Sequence, residues 1–277
     1  MRTKDASPSG LRLFLGLTLA LSWGVGGLYL LLRAPLMHWL GPLGVQNPIW
    51  ILINCAPSLA ALIAAALRGE LRSLLARLVA PFHWAWLPTA ALFVPAIALI
   101  LSFAAPHWDS HWSTTPHAVL MDLPLIMFAT SQIVGNVGPI GEELGWRGYA
   151  LPLLLKRMNA VSAGLVLGLI WALWHIPGFF ISGVMVVGVS EFAWWTLGTL
   201  GLSLAMTFLY VRAHGNTIVA GVVPHFVINA AATAGVWLSR PAETVALAGL
   251  AVFLVLVFGS TFERFSSSSA NPAYARQ

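Results

Sequence analysis

Apolar residues in this chain run in long unbroken blocks, separated by short stretches rich in proline, glycine or charge. Eight blocks stand out: Leu11–Leu32, Pro48–Leu67, Trp84–Ala105, Val119–Val137, Ala160–Ile181, Phe192–Val211, Thr217–Val236 and Thr244–Phe262. Each is close to the ~20 residues a helix needs to cross a bilayer. Helices are required because a backbone in lipid must satisfy its own hydrogen bonds. A shorter stretch, Ile140–Leu155, carries charge and predicts a separate helix near the interface. The pattern thus predicts an all-α, polytopic transmembrane helical bundle of about eight spans plus one short charged interfacial helix. It divides into N-terminal membrane helices at 1–117 (three spans), a core at 118–236, a C-terminal span at 237–265 and a serine-rich tail at 266–277 expected to be disordered. No internal repeat and no soluble domain is visible.

Composition explains the blocks. Of 277 residues, 58% are hydrophobic and 8% charged, far below the quarter a soluble domain uses to keep its surface wet. Membrane lipid is therefore a partner. The net charge of +5 does not indicate nucleic acid, because the basic residues sit at the ends of apolar blocks and form no dense patch. Arg68, Arg72 and Arg77 follow the second block, Lys156 and Arg157 the fourth, Arg212 the sixth, and Arg264 and Arg276 the eighth. The loops after the third and fifth blocks carry no such excess; Arg33 and Arg240 are the exceptions. By the positive-inside rule both termini are expected to be cytoplasmic. Arg2, Lys4 and Arg12 precede the first block, but its length and the lack of an A-x-A-like site favour a retained helix over a cleaved signal. Cys55 is the single cysteine, so no disulfide within the chain and no CxxC motif exists.

Chemistry concentrates in few places. Most acidic residues fall at block ends or in loops, but Glu142 and Glu143 are adjacent in Gly138-Pro-Ile-Gly-Glu-Glu-Leu-Gly-Trp-Arg-Gly-Tyr149. Pro139 suits the first turn of a helix, and two carboxylates near its start would already favour the helix dipole. Spacing separates them further. Glu143 and Arg147 are four apart and can pair, whereas Glu142 lies about 100° around the helix and lacks that partner. Six histidines lie in loops or at block ends; only His175 and His225 are set within apolar blocks. A lone histidine there is ordinarily a packing residue. However, Gly164, Gly168, Trp171 and His175 form one helical stripe whose glycines permit close helix approach. His225 and Asn229 also share a face, and Pro224 removes a backbone hydrogen bond beside them. Two polar side chains on one face of an apolar span suggest an interior polar site. Asn54 with Ser58, and Thr196, Thr199, Ser203 and Thr207, read instead as helix–helix contacts.

Three of these groupings resemble the CPBP family of membrane proteases, which includes the type II CAAX prenyl proteases and bacterial relatives linked to bacteriocin processing and self-immunity. EExxxR reads Glu142-Glu143-Leu-Gly-Trp-Arg147; FxxxH reads Trp171-Ala-Leu-Trp-His175, with tryptophan for phenylalanine; HxxxN reads His225-Phe-Val-Ile-Asn229. The resemblance covers about Gly135–Ala231. It implies an intramembrane endopeptidase in a prokaryotic plasma membrane, acting near the cytoplasmic face on a peptide or lipidated protein. Glu142, Glu143, His175, His225 and Asn229 are its implied catalytic residues. Glu142 would be the general base, His175 would help hold the water, and His225 and Asn229 would stabilise the oxyanion. Glu143 with Arg147 would fix the helix, with Arg147 and Trp171 structural. A carboxylate in a low-dielectric cavity suits general acid–base work.

A metal-assisted route stays open: Glu142, His175 and His225 could hold a divalent ion such as zinc, although the chain has no HExxH. Two other functional classes also compete, a proton-coupled transporter using the buried Glu and His residues and a catalytically silent membrane scaffold. The absence of a repeat weighs against the first, and the presence of every motif residue weighs against the second.

Overall fold

A computed structural model describes residues 8–44, 47–93, 136–179, 188–233 and 240–267. Among the described residues every regular element is helical. The first block forms α1 (Pro8–Leu19), a π-helical turn at Ala20–Gly24 and α2 (Val25–Leu31), followed by α3 (Arg33–Leu40). α4 (Pro48–Arg68) starts where Asn47 caps the backbone N–H of Ile49. It stops at Gly69, whose φ of 69° is the left-handed conformation that glycine adopts at helix ends. α5 (Leu71–Ala76) precedes a helical stretch at 86–93.

The charged stretch forms α6 (Gly138–Gly145), a π-helical turn at Trp146–Ala150 and α7 (Leu151–Leu155) without a break. α8 (Ala160–Trp174) begins at Asn159, whose side chain accepts from the Ser162 N–H. α9 is Val189–Arg212, α10 is Val223–Thr233 after a π-helical turn at Ile218–Val222, and α11 is Arg240–Ser267.

Among the described residues three helices are long and apolar enough to cross a membrane: Gly10–Leu31, Pro48–Arg68 and Val189–Arg212. Ala160–Trp174, Ile218–Ala230 and Thr244–Gly259 are shorter apolar helices. The third and fourth expected spans lie mostly outside the described residues. Two elements differ in detail from the sequence pattern. The fifth block was expected to be helical to Ile181, but α8 ends at Trp174 and a 3₁₀ turn follows at Ile176–Phe179. Pro177 disfavours α-helical geometry in the residue before it, which ends the helix. The seventh block opens as a π turn because Pro224 withholds the N–H that the Ala220 carbonyl would receive.

Close packing is set by small residues. α4 lies between α1 and α6. A β-carbon on Gly145 would fall 2.5 Å from the carbonyl carbon and oxygen of Pro57, and one on Gly141 would fall 2.9 Å from the Asn54 carbonyl oxygen. α8 packs along α9, and α9 along α11. Gly164 and Gly168 face Thr207 and Ser203, and the Ser203 hydroxyl donates across the interface to the Gly164 carbonyl at 2.9 Å. Ser58 likewise donates from α4 to the Ile140 carbonyl of α6 at 2.9 Å. The outer faces carry exposed Leu31, Leu67, Val252 and Leu256, a surface matched to lipid and not to water.

Candidate active site

The charged helix turns its polar face inward. Glu142, Glu143 and Arg147 are all buried, while Ile140 one turn earlier is exposed. The pairing read from the spacing is present: Arg147 donates to Glu143 Oε1 at 2.8 Å. His225 Nδ1 lies 2.8 Å from the same oxygen, so this one carboxylate oxygen faces both partners. Room for this contact depends on Gly221, where a β-carbon would come within 2.8 Å of Glu143 Oε2.

The two π turns set the register of these groups. Arg147 lies in one of them, and the other ends just before Pro224 and His225. Arg77 ties them together. Its guanidinium donates to the Gly148 carbonyl at 3.1 Å, and its own carbonyl accepts from the Thr217 N–H at 2.9 Å. Such turns insert a residue into a helix and are frequent at functional sites.

Trp171 is the hub of the arrangement. Its indole N–H donates to Glu142 Oε2 at 2.7 Å. The Arg147 guanidinium carbon sits 4.3 Å from its ring centroid, a cation–π geometry. The His225 ring stands 5.2 Å away, nearly edge-on. The Trp171 backbone carbonyl lies 2.8 Å from His175 Nδ1. A carbonyl only accepts, so Nδ1 carries the proton and Nε2 of the neutral ring is left as an acceptor. His175 itself is enclosed by Trp171, Trp174 and Trp195, with ring centroids at 6.0, 4.7 and 5.1 Å.

Asn229 reaches the same region. Its amide nitrogen donates to Asn136 Oδ1 at 3.0 Å. That nitrogen and Glu142 Oε1 lie 3.6 and 3.3 Å from the point where a β-carbon on Gly138 would sit. Side chains of α6, α8 and α10 therefore meet over the start of α6, with Trp171 bridging Glu142, Arg147 and His225.

Sequence reasoning did not find Asn136, the tryptophan cage of His175 or the indole bond to Glu142. Asn136 falls at the end of the fourth apolar block, just before α6, and nothing in its spacing signals a partner 93 residues away. The tryptophan at position 171 was visible, but as an aromatic replacement and not as a donor.

Among the described residues no three His, Cys, Asp or Glu side chains group so as to hold a metal ion. Glu142, His175 and His225, as placed here, form no such group.

Residues 122–231 match the family model described as type II CAAX prenyl endopeptidase Rce1-like. Over that segment the chain is similar to this family. The matched segment contains every side chain gathered around Trp171. A curated relative, CAAX prenyl protease 2 of Methanococcus maripaludis, is 30% identical over 93 residues, covering 32% of this chain and 34% of the relative. The alignment thus spans about a third of that protein's length. With its apolar helices and this family segment, the chain is an integral membrane protein.

Proposed function

We propose that the chain is a membrane-embedded endopeptidase in which Glu142 activates a water for attack on a peptide bond. The observation that carries this reading is the meeting of Glu142, His225, Arg147 and His175 around Trp171, from three separate helices of an apolar protein. Burying such groups in lipid is costly, and polar clusters inside membranes ordinarily mark function.

The chemistry follows from the donors and acceptors. Glu142 takes a proton from water as its oxygen adds to the substrate carbonyl, and passes that proton to the leaving amine as the C–N bond breaks. Glu142 Oε2 is held by the Trp171 indole, which leaves Oε1 as the oxygen that faces the water. His175 Nε2 accepts from the same water. Asn229 and His225 donate to the oxyanion, a preorganised stabilisation of developing charge. Glu143 acts on His225 and Arg147, fixing the ring through Nδ1. The substrate class offered by the relative's name is a prenylated protein. The site itself asks only for an extended peptide held at the membrane, on the cytoplasmic side if both termini are cytoplasmic.

The decisive experiment compares peptides in membranes bearing the wild-type protein with those bearing Glu142→Gln, by mass spectrometry. Cleavage products present only with the wild type are expected. Identical peptide sets with both proteins would overturn the reading. Orientation is tested separately: a reporter fused after Arg157 should read cytoplasmic, and one after Gly188 non-cytoplasmic. The reverse pair would place the site at the other face.

A further inference from the structure

The first span, outside the family-matched segment, also reaches the site. α8 ends at Trp174, whose carbonyl is among the four that a helix leaves without internal partners. Trp23 satisfies it, its indole N–H donating at 3.0 Å. The exchange is reciprocal. The Trp174 indole N–H donates to Ser22 Oγ at 2.9 Å, and the Ser22 hydroxyl donates in turn to the Thr18 carbonyl at 2.7 Å. Ser22 and Trp23 both lie in the π turn Ala20–Gly24. The widened turn sets two consecutive side chains against one neighbour, where an α-helix would splay them by about 100°.

Trp174 is in turn the closest aromatic neighbour of His175. The two ring centroids are 4.7 Å apart and the planes cross at 77°. The backbone bond from His175 Nδ1 to the Trp171 carbonyl fixes one point of the imidazole. The tilt about that point decides where Nε2 aims, and the Trp174 ring blocks one side of that tilt. Trp174 has few ways to move, being pinned through both its carbonyl and its indole nitrogen and packed on Trp146 at 5.9 Å.

We infer that Ser22 and Trp23, in the π turn of the first span, are positioning residues that set the orientation of His175 through Trp174. The inference rests on the reading of His175 as a residue of the proteolytic site. It assigns the first span a part in catalysis beyond anchoring, because the span supplies both hydrogen bonds that hold the end of α8. A purely structural role for this contact would change stability and leave the imidazole as it was.

The test uses the full chain, purified in detergent micelles and labelled at its histidine ring carbons. The His175 ring resonance is identified by its loss in His175→Ala, and its position and titration are followed by NMR in Ser22→Ala, Ser22→Thr and Trp23→Phe. Ser22→Ala and Trp23→Phe should each displace the His175 resonance and its titration midpoint. Ser22→Thr, which keeps the hydroxyl, should restore both. On a peptide cleaved by wild type but not Glu142→Gln, Ser22→Ala should lower kcat about tenfold with KM little changed. An unmoved His175 resonance in both Ser22→Ala and Trp23→Phe would overturn the inference, even if the melting temperature falls. So would a Ser22→Thr protein that resembles Ser22→Ala. The NMR arm needs no substrate, so its failure is distinct from failure of the proteolysis reading, which Glu142→Gln reports.

Discussion

The indole N–H of Trp171 donates to the carboxylate of Glu142 at 2.7 Å, both groups being buried. The FxxxH pattern has phenylalanine at this position, and phenylalanine cannot make that bond. The replacement is therefore a chemical addition: it fixes one carboxylate oxygen and points the other away. It also extends the ring over Arg147.

Trp171→Phe tests this addition. The ring contacts to His225 and Arg147 largely survive, while Glu142 loses its donor. An unsatisfied buried acceptor costs roughly 1–3 kcal/mol, so a lower melting temperature is expected together with a fall in kcat of about tenfold. Thermal melts in detergent and kinetics on a cleaved peptide check both. Wild-type values in each would mean the bond has no energetic role.

The adjacent glutamates should fail differently when changed. Glu142→Gln keeps size and the Trp171 contact, and should abolish cleavage with yield and melting temperature near wild type. Glu143→Gln removes the charge between Arg147 and His225, all three buried. Breaking a buried pair in this way costs roughly 3–5 kcal/mol, so low yield and an early melt should accompany lost activity. Paired melting curves and peptide assays separate the two. If Glu142→Gln destabilises as much as Glu143→Gln, the division of roles fails.

Much of this arrangement was legible in the sequence because helical periodicity is local. Glu143 and Arg147 share a face at four residues' separation, and the structure pairs them at 2.8 Å. The glycine stripe of Gly164 and Gly168 foretold a close helix contact, which Ser203 completes. The limits of the second and sixth spans fell within a few residues of α4 and α9 because their apolar runs end at Arg68 and at Arg212. What did not show was anything set by contact between distant segments. Asn136 with Asn229, Trp23 with Trp174 and Trp195 with His175 depend on how helices face one another. The π turns were equally hidden, since an inserted residue leaves no mark in an apolar run. Pro224 hinted at a break but not at its form.

Gly145 and Gly221 offer a stability prediction. Alanine at 145 would place a methyl 2.5 Å from the Pro57 carbonyl on α4, where only backbone could yield. Alanine at 221 would press on the Glu143 side chain, 2.8 Å from Oε2. Overpacking costs typically 1–3 kcal/mol. Gly145→Ala should mainly lower melting temperature and yield, by separating α4 from α6. Gly221→Ala should also impair cleavage, by displacing Glu143 from His225. Gly249, which has open space around it, serves as the control: Gly249→Ala should be near neutral. Equal effects at 145, 221 and 249 would contradict the packing argument.

Asn136 distinguishes a held amide from a donating one. Its Oδ1 accepts from Asn229 at 3.0 Å, and its Nδ2 is buried with no hydrogen-bond partner among the described residues. If its task is to orient Asn229 for the proposed oxyanion site, the acceptor oxygen is what matters, and the bond lost in Asn136→Ala should cost about 0.5–1.5 kcal/mol. That range corresponds to a roughly two- to tenfold lower kcat. Asn136→Asp keeps an acceptor for Asn229 but removes the Nδ2 donor. Activity retained in Asn136→Asp and lost in Asn136→Ala assigns the residue to positioning. Loss in both, with melting temperature and expression near wild type, assigns the spare amide to the substrate as a further donor. Wild-type kcat in both variants would remove Asn136 from the site, and with it the argument that Asn229 needs a fixed orientation to stabilise the oxyanion.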